Sequence, residues 1–227
     1  MRAAKESSDA VQQHCEEIVD AAERCVFAAG LHQLKLRDIA RESGNSLGNI
    51  YNYFKNKEEI VEVLVERQTS RFLSTVTRST EEIPDETHEE RVLRQISVLV
   101  DAYMDPESMR LSIFIASEAL VNPRVLDICV AANRRVCEHV IDVIRHDPNC
   151  HIDVTDEEME VRIVSVRSYL EGLRGSLLFN PTMNRKLMRD RAIERLRVLW
   201  RWDQANLDIS SGLGAPISEA ELRIDLI

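Results

Sequence analysis

Six prolines (Pro84, Pro106, Pro123, Pro148, Pro181 and Pro216) punctuate a chain of 227 residues, and none interrupts a run of helical periodicity. Proline has no backbone N–H and its ring collides with the preceding turn, so a chain made of helices keeps it at their ends. Between these marks apolar residues recur three and four apart. Ile18, Ala22, Cys25 and Ala29 form one stripe, closed by Gly30 as a C-cap. Met159, Ile163, Val166, Leu170, Leu173 and Leu177 form a longer one, and Met188, Ala192, Leu196 and Leu199 another. No two-residue alternation bounded by hairpin turns stands out. The pattern predicts an all-α chain of about nine helices. Asp105 and Asn122, each followed by proline, read as N-caps, and Thr155 with Glu158 as a capping box. Residues 206–227 break the periodicity and form a tail of unassigned structure.

The composition is that of an ordinary globular protein, 44% hydrophobic and 30% charged, with a net charge of -10. The charge is uneven, however. Between Gly30 and Lys57 five basic residues stand against Asp38 and Glu42, whereas from Glu58 onward 31 acidic side chains face 21 basic ones. An acidic total therefore does not exclude a nucleic-acid partner; it confines any basic face to one place. Five cysteines, an odd number and widely spaced, fit reduced thiols in the cytoplasm. Residues 1–15 lack an apolar leader and no stretch approaches 18 apolar residues, so neither a signal peptide nor a membrane span is expected.

The basic segment reads as a helix-turn-helix. Leu36–Ser43 forms the first helix, Gly44-Asn45-Ser46 the turn, and Leu47–Phe54 the second helix. Gly44 supplies the positive φ of a tight interhelical turn, and Ser46 caps the second helix by accepting from a backbone N–H near Asn49. Ile50 and Phe54, four apart, should pack on Ile39 and the first helix. Leu47, Asn49, Tyr51, Asn52 and Tyr53 remain for the other faces. Tyrosine hydroxyls and asparagine amides hydrogen-bond phosphates and base edges, and a leucine can meet a thymine methyl. Lys57 opens the next helix, where free N–H groups favour a phosphate. Arg37 is the best placed residue for a guanine.

The segment LRDIARESGNSLGNIYNYFKNKEEI at 36–60 resembles the TetR family of transcriptional regulators, and EEIVDAAERCVFAAG at 16–30 is similar to that family's first helix. The resemblance covers about 60 residues. It implies DNA contacts at Arg37, Leu47, Gly48, Asn49, Tyr51, Asn52, Tyr53 and Lys57. It further implies a three-helix DNA-binding domain over 1–57, and a helical effector-binding and dimerisation domain over 58–205. The expected molecule is a homodimeric repressor on a palindromic operator, released by a small-molecule effector, with no cofactor, metal or membrane. The last two long helices, about 156–179 and 183–203, would form the dimer interface, burying the stripes from Met159 and Met188. Three positions depart from the family pattern. Lys35 replaces a capping Ser or Thr, Asn45 a small aliphatic residue, and Leu47 a frequent polar one. Phe114, Glu118, Cys129, Asn133, Arg167 and Glu171 fall on helices that could line the effector pocket; a buried Arg167 would favour an acidic effector.

Two other readings compete. Gly44-Asn45-Ser46-Leu47-Gly48 matches G-x-S-x-G, but a nucleophile elbow needs a strand before the serine, and Leu36–Ser43 has helical spacing. A TetR-like interaction module without specific DNA binding is the other. His146, Cys150 and His151 have poor ligand spacing and suit a polar loop. The seven cations of Arg185–Arg201 read as a solvated face complementing acidic helices, and Trp200 and Trp202 as packing or dimer contacts.

Overall fold

The computed structural model describes the backbone of residues 2–147 and 154–206, with side chains over 13–147 and 154–199. The expectations for Pro148, Cys150, His151, Pro216, the side chains of Trp200 and Trp202, and the tail beyond 206 lie outside those residues. Among the described residues there are nine helices and no strand: α1 (Arg2–Ala29), α2 (Leu36–Glu42), α3 (Leu47–Tyr53), α4 (Lys57–Ser79), α5 (His88–Met104), α6 (Pro106–Ala119), α7 (Pro123–His146), α8 (Asp156–Phe179) and α9 (Arg185–Asn206). None is long and apolar enough to cross a membrane.

The helix ends follow the predicted chemistry. Gly30 leaves α1 at φ +80 and Gly44 leaves α2 at φ +69, a left-handed conformation open to glycine without strain. Asp105 accepts from Ser108 N and Asn122 from Arg124 N and Val125 N, each with proline at the first helical position. Thr155 accepts from Glu158 N. The reciprocal capping box forms at Thr87 and Glu90, where the Glu90 carboxylate also accepts from Thr87 N at 2.9 Å.

Three clusters of buried side chains hold these helices together. The first joins Ile18, Val19, Ala22 and Val26 of α1 to Ile39, Ile50 and Phe54, and continues into Ile60, Val61 and Leu64 of α4, Ile115 of α6 and Val125 of α7. The second packs Val92, Ile96 and Val100 of α5 against Leu170, Leu173 and Leu177 of α8 and Ala192, Ile193 and Leu196 of α9. The third is small: Cys137, Met159 and Ile163. The stripes expected to bury on one another and across a two-fold axis go largely into the protomer's own core, against each other and α5. Leu199 of the α9 stripe is exposed, and the outward surfaces carry further residues: Val161, Val164, Leu178 and Phe179 on α8, and Leu187 and Val198 on α9. Two arginines of α9 pair with carboxylates of α5, Arg189 with Asp101 at 2.6 Å and Arg197 with Glu89.

Candidate nucleic-acid interface and internal cavities

Helix α3 is two turns long, too short to stand alone, and its position is set by what it buries. Ile50 is fully buried and Phe54 nearly so, both in the first core cluster. Complete burial of such a side chain contributes roughly 1.5–3 kcal/mol. The Ser46 hydroxyl accepts from Asn49 N at 3.1 Å, so this serine is a helix cap. Helix α2, not a strand, precedes the G-x-S-x-G turn, and the nucleophile-elbow geometry is absent there.

The predicted contact residues divide into two sets. Arg37, Leu47, Gly48, Tyr51 and Asn52 are exposed around one end of the molecule. Asn49, Tyr53 and Lys57 are half-buried and already engaged. The Asn49 amide donates to Asn45 Oδ1 at 2.7 Å and lies 3.0 Å from His14 Nε2. The Tyr53 ring packs on the His14 imidazole at 5.3 Å. Asn45, at a position that departs from the family pattern, also donates to Ser43 O and Oγ, so its polar group latches the turn. Lys35 makes no side-chain cap to α2, as its replacement of Ser or Thr predicts.

Lys57 reaches away from α3. Its ammonium donates to Glu118 Oε1 at 2.6 Å and lies 3.5 Å from Leu31 O. Glu118 is only 4% exposed, and His32 Nδ1 sits 3.4 Å from its other oxygen. Burial works against the charged carboxylate, but the hydrogen bond and charge of Lys57 and the charge of His32 outweigh it and hold Glu118 below the ordinary carboxyl range. Asn122 to Glu58, at 3.1 Å, is a second polar tie between the start of α4 and the α6–α7 turn. Its place at a helix start and the family resemblance put Lys57 on DNA, and helical phase put Glu118 near a pocket; neither held a signal that the two would meet.

The bundle is hollow in two places. One cavity of about 270 Å³ is walled by α4, α5, α7 and α8, with Val76, Val92, Ile96, Leu99, Val140 and Ile163 in its lining. A second, of about 780 Å³, is bordered by Arg67, Tyr103, Ser112 and Arg174. Of the six pocket residues expected, Cys129, Asn133, Arg167 and Glu171 line the larger cavity, and Arg167 also borders the smaller. Glu118 and Phe114 line neither. Glu118 is turned toward Lys57, and Phe114 packs on the α1 C-cap, where a side chain at Gly30 would sit 3.5 Å from its ring. Cys129 borders the cavity as a thiol that burial pushes up, which suits a lining residue better than a nucleophile.

A capped, two-turn helix pinned by two apolar anchors, with polar and aromatic side chains on its free face, has the arrangement of the second helix of a helix-turn-helix. The family described as bacterial regulatory proteins, tetR family, matches residues 18–64, the segment that holds the helix-turn-helix. An uncharacterised HTH-type transcriptional regulator of Haemophilus influenzae is 37% identical over 67 residues, 30% of this chain and 36% of that protein. The chain thus aligns with about a third of the length of the curated relatives it matches best. The fold similarity is longer. A TetR transcription regulator from Haloarcula marismortui superposes with a TM-score of 0.61 at 19% identity, over 81% of this chain and 94% of that one. FadR from Bacillus subtilis, solved with stearoyl-CoA, gives 0.61 at 17% identity, over 79% and 95%. The family is one of transcriptional regulators rather than enzymes.

Proposed function

We propose that this chain is a cytoplasmic, dimeric transcription regulator acting as a repressor. Two copies present α3 to successive major grooves of a near-palindromic operator, and a small molecule in the bundle releases them. The observation that carries this reading is α3 itself: Ile50 and Phe54 anchor it from behind, which leaves Leu47, Tyr51 and Asn52 outward beside Arg37. The DNA-binding unit is residues 1–57, docked on the first half of α4, and 58–205 serve the effector and the dimer. The exposed apolar side chains of α8 and α9 support the pairing of two copies. The stearoyl-CoA held by FadR supports a small-molecule effector for this chain. An effector acts by binding more tightly to a dimer whose two α3 helices are wrongly spaced. Footprinting with the purified chain is the test. A protected near-palindrome that weakens in Tyr51→Ala and Arg37→Ala is expected; no protection at any salt concentration would leave an interaction module instead.

A further inference from the structure

The two cavities share one wall. Phe72, Thr75, Ala102, Val136 and Arg167 border both, and Arg167 is the charged side chain among them. The other arginines of the linings are differently placed. Arg174 pairs with Glu171 at 3.2 Å, Arg162 with Glu158 at 2.9 Å, and Arg67 with Asp20 at 2.5 Å and with Glu16. Arg71 is exposed at the rim of the larger cavity. The partners of Arg167 are all neutral: its Nη1 donates to Asn133 Oδ1 and lies 3.9 Å from Cys137 Sγ, and the Tyr103 phenol stands beside it. Its Nε–H is buried with no acceptor. This half-buried guanidinium has no carboxylate within salt-bridge distance among the described residues, although Glu171 follows one turn later, and it leaves one donor unused.

On one side of that guanidinium lies the smaller cavity, whose lining is mainly aliphatic, with His88, Gln95, Asp147 and Arg162 among its polar members. Phe72 is its one carbocyclic aromatic residue. Such walls suit a flexible alkyl chain better than a stacked ring. Its volume falls just below the usual range for ligand pockets, roughly 300–1,000 Å³, which limits the body to medium length.

We infer that the effector is an aliphatic monocarboxylate, its alkyl chain in the smaller cavity and its carboxylate on Arg167 at the shared wall. The inference rests on the effector reading above. A carboxylate there supplies a countercharge and accepts from the guanidinium in a charge-assisted hydrogen bond.

Calorimetric titration of the full chain without DNA tests this, with decanoate, decanol and decanoyl-CoA below their micellar concentrations. Decanoate is expected to bind roughly ten- to a hundredfold more tightly than decanol, the span of one hydrogen bond to a charged group. Arg167→Gln should bring decanoate down to the decanol level while decanol binding persists, and Val140→Trp should remove both by filling the cavity. Equal affinity for acid and alcohol in the unsubstituted chain overturns the proposal, and that comparison needs no variant to fold. So do a preference for decanoate that survives Arg167→Gln, absence of decanoate binding, and binding of decanoyl-CoA where decanoate fails. Footprinting is read separately. Decanoate binding without a protected operator would sink the regulator reading alone, and a protected operator with no decanoate response would sink this inference alone.

Discussion

The two ends of the molecule are built from the same kind of helix and packed in opposite ways. Around α1–α3 and the start of α4 the inward side chains pack into one cluster, in which Ile18, Ile39, Ile50 and Ile60 are completely buried. Between α4, α5, α7 and α8 the inward side chains face one another across open space, and Val136, Val140 and Val166 line a void. A filled core holds a surface rigid for reading; a hollow one leaves its helices a choice of spacing that a ligand can decide.

Truncations on the two sides should separate this contrast most widely. Ile50→Ala opens a void in a filled core and should cost about 2–5 kcal/mol, read by chemical denaturation, with loss of operator binding. Val140→Ala borders space that already exists and should cost only about 1 kcal/mol. Equal costs would mean that the cavity closes in solution. Next in size, Tyr51→Ala should weaken operator binding by about 1–3 kcal/mol without moving the denaturation midpoint. The tie between the two ends comes next. Glu118 is held below its ordinary value, so its share of stability is complete above the unfolded pKa and is lost as pH falls through the folded one. Glu118→Gln should therefore lower stability at neutral pH and flatten the acid limb of the stability profile. An unchanged limb would show that Lys57 and Glu118 do not pair in solution. The smallest effect belongs to the cap: Ser46→Ala should cost about 1 kcal/mol, seen in thermal unfolding.

The reading end was largely visible in the sequence because its determinants are local. Gly44, Ser46, Ile50 and Phe54 lie within eleven positions, and each acts on a neighbour one or two turns away. What the sequence did not show there comes from further off: His14, thirty-five residues earlier, contacts Asn49, and Glu118, sixty-one residues later, contacts Lys57. The hollow end was legible as helices and caps but not as a cavity. Helical phase says which residues turn inward, and four of the six pocket residues did so. It cannot say whether the inward side chains meet, because that depends on the separation of helix axes set by α5, α8 and α9 together. The outward residues of α8 and α9 were missed for a related reason: the strongest stripe was taken by α5.

The pairing of Lys57 with Glu118 has a consequence for calorimetry. One ammonium cannot serve a buried carboxylate and an operator phosphate at full strength. A phosphate that draws Lys57 across leaves Glu118 with the exposed His32 imidazole beside it, and its proton affinity rises. Operator binding would then take up hydrogen ions from solution in mildly acidic buffer. The measured heat would change with the ionisation enthalpy of the buffer, and Glu118→Gln would erase that dependence.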